Sequence, residues 1–218
     1  MTLANLYHIA DASGGILYIM ALLMLIALTV IIERTWYLKR VMRRGRLIAS
    51  SISALHNLDR KSISELSLGA MRYPQGSLLS VVSHYPDIRD PNRLSELLEE
   101  SILWQVPRID RNLWMLDTII TLAPLLGLLG TIIGMFNAFQ ILGAGNAATQ
   151  ITGGVAEALV ATACGLFIAI IGLIWFNGLN NYVRLIVHQM ETIKVMLVNR
   201  LDAPRNESKG AVGKSVAV

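Results

Sequence analysis

The sequence predicts an all-α membrane protein with three transmembrane helices, and three observations predict it. Residues 12–32 form a run of 21 without a charge, and residues 118–183 a run of 66 with only one, Glu157. All 19 lysines and arginines lie outside these runs, 13 between Arg34 and Arg111 and six between Arg184 and Lys214. A hydrocarbon core of about 30 Å takes roughly 20 apolar residues as helix, so the first run holds one span and the second holds two. Composition agrees: 54% of the 218 residues are hydrophobic and 16% charged, against about 45–50% and 25% in soluble domains. That balance excludes a disordered chain or a nucleic-acid-binding tail as the main theme. The single cysteine, Cys164, excludes an intramolecular disulfide framework and a Cys-based zinc site.

The elements follow in order. Residues 1–14 form a short segment before the first span, at 15–33. A cleavable signal peptide is the competing reading of that span. No Lys or Arg precedes it, and Glu33-Arg34-Thr35-Trp36 stands where a small-x-small cleavage site belongs, so the span is retained. Lys and Arg resist translocation, which assigns both basic segments to the cytoplasm and the N-terminus to the opposite side. Lys39, Arg40, Arg43, Arg44 and Arg46, just past the span, read as an anchor to anionic lipid headgroups rather than a nucleic-acid patch.

The cytoplasmic section, 34–117, is read as helical and amphipathic. Asp90-Pro91 is a helix start, with Asp as N-cap and Pro at the first helical position. Leu94, Leu97, Leu98 and Ile102 continue an apolar stripe. Pro107 is a possible kink, and the simplest arrangement is one long helix continuing into the second span. That span is 118–141. Gly143-Ala144-Gly145-Asn146 marks a turn in an outer loop at 142–150, and the third span is 151–176. Leu185, Ile186, Ile193 and Leu197 carry the last helix on to about 202. Residues 203–218, rich in Pro, Gly, Ser and Lys, are expected to be disordered.

Two motifs are set aside. The four histidines have no metal-ligand spacing, so no metal or cofactor is expected. The GxGxxA pattern at Gly143–Ala148 lacks the strand and βαβ unit that a dinucleotide site needs. No nucleophile–base pair lies in the spans, so an enzyme is not expected.

The functional signal is in the last two spans. Gly127, Gly130, Gly134 and Ala138 in the second, and Gly154, Ala161 and Gly165 in the third, recur at helical spacing and allow close backbone approach between helices. Thr131 and Thr162 are nearly symmetric about the turn and should lie at similar depth. Glu157 lies five residues from Thr162, about 7.5 Å along the axis and roughly 140° around it. An ionisable group at mid-membrane costs about 2.5–3.5 kcal/mol by insertion scales, and such groups are functional by default. No Lys, Arg or His in these spans neutralises Glu157. Desolvation favours the neutral form of a carboxyl, and a group neutral when dry and charged when wet suits proton binding. A structural hydrogen bond between helices is the competing role.

The stretches Ala123-Pro124-Leu125-Leu126-Gly127-Leu128-Leu129-Gly130-Thr131-Ile132-Ile133-Gly134-Met135 and Gly154-Val155-Ala156-Glu157-Ala158-Leu159-Val160-Ala161-Thr162 resemble the paired signatures of the ExbB/TolQ/MotA proton-channel family. Ile32-Glu33-Arg34-Thr35-Trp36-Tyr37-Leu38 is similar to the exit of the first span in ExbB-like members. The resemblance covers residues 15–40 and 112–180, and the cytoplasmic middle in layout only. It implies a multi-pass subunit of the bacterial inner membrane. Such a subunit forms a homopentamer around an ExbD-like single-span partner and uses the proton motive force to drive a TonB-like transducer. It further implies Glu157, Thr131 and Thr162 as polar pore residues. Gly153 stands where TolQ-like members usually have proline, which favours the ExbB branch. A TolQ-like subunit of the Tol-Pal system and a non-conducting scaffold remain the alternatives.

Overall fold

A computed structural model describes residues 15–54, 65–67, 69–70, 72–85, 88, 90–142 and 148–202; within these, the side chains of residues 141–142, 148–153, 157 and 201–202 are not described. The expected N-terminal segment, the turn at Gly143–Asn146 and the expected disordered tail lie outside the described residues. Among the described residues the main elements are five helices: α1 Ile16–Ala54, α2 Pro74–His84, α3 Pro91–Ile109, α4 Leu113–Leu142 and α5 Ala148–Asp202. No strand occurs among the described residues. Stretches of α1, α4 and α5 are long and apolar enough to cross a membrane. The chain divides into two compact units, one of the chain up to Thr35 with Asn112–Leu179, the other of Trp36–Arg111 with the chain from Asn180 onward.

The first unit is built from the apolar parts of α1, α4 and α5. Ile16, Met20, Ala27, Val30 and Ile31 bury one stripe of α1, at the three-and-four spacing of a single helix face. The stripe ends in Arg34, 3% exposed, whose Nε lies 3.4 Å from the Glu33 carboxylate. Large side chains on the other faces, such as Leu25, Ile32, Phe136, Phe139 and Ile174, are exposed. Hydrophobic all round is the pattern of a helix whose solvent is lipid or another apolar surface.

The second unit is a helical bundle with buried apolar side chains. Leu38, Val41, Met42 and Ile52 of α1, Leu78 and Leu79 of α2, Leu94, Leu98 and Ile102 of α3, and Ile186, Met190, Ile193 and Leu197 of α5 are buried. The start of α3 is as the sequence predicts: Asp90 is extended, its carboxylate accepts from the Asn92 N–H at 3.0 Å, and Pro91 opens the helix. α2 packs on α3, where the Ser101 and Ser77 hydroxyls meet at 2.9 Å. Lys194 of α5 pairs with Glu99 of α3 at 3.1 Å. Arg200 donates to the carbonyls of Ile52 and Ser53 near the end of α1. A part-buried amide pair, Gln75 Nε2 donating to Gln189 Oε1 at 3.3 Å, joins α2 to α5 beside Gly45 of α1.

One expectation is corrected. α3 does not run on into the second span: it ends at Ile109, capped by Asp110, and α4 starts at Leu113. Pro107 offers no N–H to the carbonyl one turn back, which weakens the last turn. Asn112 then adopts a left-handed φ of 67°, a conformation that asparagine tolerates better than most residues. The apolar periodicity continues through Ile109, Leu113 and Leu116, all buried, so pattern alone does not reveal the break.

Two substitutions test this packing. A Cβ at Gly76 would collide with the backbone carbonyl of Ala70, so Gly76→Ala should destabilise the protein by about 1–3 kcal/mol. Leu98 is fully buried, and Leu98→Ala should cost about 2–5 kcal/mol. Chemical denaturation of the purified protein, followed by circular dichroism, measures both.

Candidate functional site

The candidate site is the seam between α4 and α5 within the first unit. The two helices run antiparallel, and small residues meet in steps along them. A Cβ placed on Gly172 would lie 2.7 Å from Ile120 Cγ1; on Gly127, 2.9 Å from the Ala161 carbonyl oxygen; on Gly130, 2.8 Å from Ala161 Cβ. At Gly134 it would lie 2.7 Å from Ala158 Cβ, and at Gly154 3.1 Å from Ala138 Cβ. At Gly165 it would meet the carbonyl of Ala123 and, at 3.1 Å, Met20 Cε of α1. Real Cβ atoms are essentially never closer than 3.0 Å to such neighbours, so glycine is required at most of these positions. The backbones approach until dispersion contacts and Cα–H···O contacts form between them.

All seven helix-packing residues named from the sequence lie in this seam: Gly127, Gly130, Gly134, Ala138, Gly154, Ala161 and Gly165. The inward stripe of α5 runs from the half-buried Gly154 through the buried Ala158, Ala161, Gly165, Ile168 and Gly172. In the seam Ala158 takes the buried place, and position 157 falls, by helical register, about 60° to one side of the stripe. Thr162 falls about 80° to the other side.

Ala158, Gly172, Ile120 and Ala123 were missed as seam residues. The seven-residue step from Gly165 to Gly172, two helical turns, was the available signal. The part of α1 was missed too: Ile16 and Met20 lie beside Gly130 and Gly165. Nothing in the first span's own pattern says which helix it packs on.

The threonines are placed by the same seam. Gly130 and Ala161 are opposite each other, and Thr131 and Thr162 are the next residue on each helix. At 1.5 Å per residue their levels differ by about 3 Å. Thr162 Oγ1 donates to the Gly127 carbonyl on the facing helix at 3.0 Å. Thr131 Oγ1 donates to the Leu128 carbonyl of its own helix at 2.6 Å. The two hydroxyls thus bond successive carbonyls of α4. Glu157 lies in α5 beside Ala158, which packs on Gly134; its side chain is outside the described residues. No group of His, Cys, Asp and Glu suited to a metal occurs among the described residues.

α4 and α5 thus form a glycine-rich antiparallel helix pair bridged by one threonine hydroxyl. Residues 72–192, more than half of the chain, match the MotA/TolQ/ExbB proton channel family. The chain belongs to this family. It is similar to the putative biopolymer transport protein ExbB-like 3 of Synechocystis, at 30% identity over 90% of this chain and 97% of that protein. It is similar to the biopolymer transport protein ExbB of Neisseria gonorrhoeae at 27% identity, over 73% of this chain and 67% of that protein. A shorter match, 36% identical over 35% of this chain and 34% of its own length, is the Tol-Pal system protein TolQ of Haemophilus influenzae. As a member of the MotA/TolQ/ExbB family, with three helices long and apolar enough to cross a membrane, the chain is a multi-pass membrane protein of a proton-channel family.

Packing and hydrogen bonding in the seam separate under mutation. Gly134→Leu forces a side chain into Ala158 and should cost about 1–3 kcal/mol or more. Thr162→Val removes only the interhelical hydrogen bond, worth about 0.6 kcal/mol on average within membranes. Thermal unfolding in detergent should therefore rank Gly134→Leu well below Thr162→Val, with the latter near the parent.

Proposed function

We propose that the chain is the proton-channel subunit of an inner-membrane complex that uses the proton motive force to energise TonB-dependent transport across the outer membrane. The observation that carries the reading is Glu157, the one charge in 66 residues, on a helix of the glycine seam in a member of a proton-channel family. Loading and unloading one carboxyl from opposite sides moves a charge through the field. Each charge crossing 100 mV supplies about 2.3 kcal/mol, so several protons suffice to drive a conformational cycle.

In this reading Glu157 binds the proton, while Thr131 and Thr162 border its path at nearly one depth. The Thr162 hydroxyl, while donating to the Gly127 carbonyl, retains lone pairs that can accept from a passing water or a protonated acid. The complex is a homo-oligomer, a pentamer by family resemblance. Its partners are an ExbD-like single-span protein and a TonB-like transducer, with the N-terminus on the periplasmic face. The similarity to TolQ keeps a Tol-Pal role as the second reading, and the proteins that co-purify with the chain separate the two.

Glu157→Gln keeps size and polarity but cannot cycle a charge. It should abolish partner-dependent, proton-driven uptake while the complex still assembles. Normal uptake by that variant sinks the reading, and loss of assembly alone in Glu157→Ala makes the chain a scaffold.

A further inference from the structure

The largest concentration of exposed charge without an acidic partner lies where α1 enters the second unit. Lys39, Arg40, Arg43, Arg44 and Arg46 are all exposed. Among the described residues the ion pairs involve Arg34, Arg93, His188 and Lys194, and none of these five. Two of the five have an aromatic neighbour, and that of Arg44 is brought from elsewhere in the chain. The Arg44 guanidinium lies 6.0 Å from the centre of the Tyr73 ring. Arg40 lies 5.9 Å from the centre of the Trp36 ring, and the Arg40 and Arg44 guanidiniums, Arg40 foremost, hold the Tyr73 phenol below its usual range.

The backbone builds this cluster. Gly45, next to Arg44, is buried, and a Cβ there would collide with the side-chain amides of Gln75 and Gln189. The missing side chain lets the start of α2 come up against α1. Pro74 opens α2 and restricts the preceding residue to extended backbone, and Tyr73 has φ −118° and ψ 149°. Pro74, Gln75 and Gly76 are buried, so Tyr73 is delivered to Arg40 and Arg44 by a fixed piece of structure.

We propose that Arg40, Arg44 and Tyr73 form a headgroup site for one anionic phospholipid at the basic end of the first span. The two guanidiniums stand one turn apart, about 6 Å along α1, and present planar forks that match the non-bridging oxygens of a phosphodiester. The Tyr73 O–H can donate to the same phosphate. Three observations select a membrane lipid over another anion. The arginines follow the charge-free run within a few turns of the same helix. Trp36, 72% exposed and stacked with Arg40, is a residue type enriched at the membrane–water interface. Helical Cα–Cβ bonds tilt toward the helix N-terminus, which for α1 is the apolar end, so both arginines lean back toward the bilayer. The site stands independently of any role for Glu157.

The test uses the full-length complex in nanodiscs of phosphatidylcholine with a minor fraction of phosphatidylglycerol. Native mass spectrometry reads which lipid stays bound after release from the disc. The parent should retain phosphatidylglycerol over phosphatidylcholine. A hydrogen bond to a charged group is worth roughly tenfold or more, so Arg40→Gln/Arg44→Gln should reduce the enrichment by at least roughly tenfold. Tyr73→Phe should reduce it less. Arg43→Gln/Arg46→Gln removes the same charge from the same helix but leaves the cluster at Tyr73, and should keep most of the retained lipid. Equal loss from the two double variants, or no preference in the parent, overturns the site.

Discussion

The membrane-spanning unit depends on one constraint, the backbone-to-backbone approach of α4 and α5. Lipid tails are as apolar as leucine, so helices in a bilayer gain little by hiding apolar side chains from it. What remains is dispersion, weak backbone contacts and the occasional interhelical hydrogen bond. All of these need the helices close together, which is why glycine or alanine occupies each step from Gly172 at one end to Gly154 at the other. The Thr162 bond to the Gly127 carbonyl exists because Gly127 carries no side chain in its way. Thr131 and Thr162 come to nearly the same level because the seam sets the register.

The second unit is held by different physics. Its buried leucines, isoleucines and methionines gain by leaving water, roughly 1.5–3 kcal/mol for each large side chain. Its polar pairs, such as Lys194 with Glu99 and Ser77 with Ser101, tie elements that burial has already brought together. Gly45 and Gly76 play the same part here as the seam glycines do in the first unit: each marks a place where another segment arrives. At Gly45 the consequence reaches the surface, since the approach of α2 is what puts Tyr73 beside two arginines of α1.

Much of the seam was legible in the chain. Its glycines and alanines recur at helical spacing in runs that must be helical to cross a bilayer, so their shared face follows from the 100° turn per residue. The Asp90 cap was legible because Asp followed by Pro has few other uses ahead of an amphipathic stripe. The break between α3 and α4 was not, because the apolar period persists across it and the deciding feature is one left-handed residue, Asn112. The neighbours of α1 were not, because a span that is apolar all round carries no mark of its partner. The cluster of Tyr73 with Arg40 and Arg44 joins residues about thirty apart in sequence, a distance over which no helical period speaks.

By itself, the sequence determined how many helices are fit to cross a membrane, which faces of two of them are small enough to pack, and that one carboxylate stands among them. These are properties of composition and period, and they follow from the thickness of a bilayer and the geometry of one helix. Only the tertiary structure decided the register of α4 against α5, the seating of Ala158 in the buried stripe, the bond from Thr162 to Gly127, and the arrival of Tyr73 at the arginines. Each of these depends on how closely two backbones approach, which is set by the contacts of both segments at once.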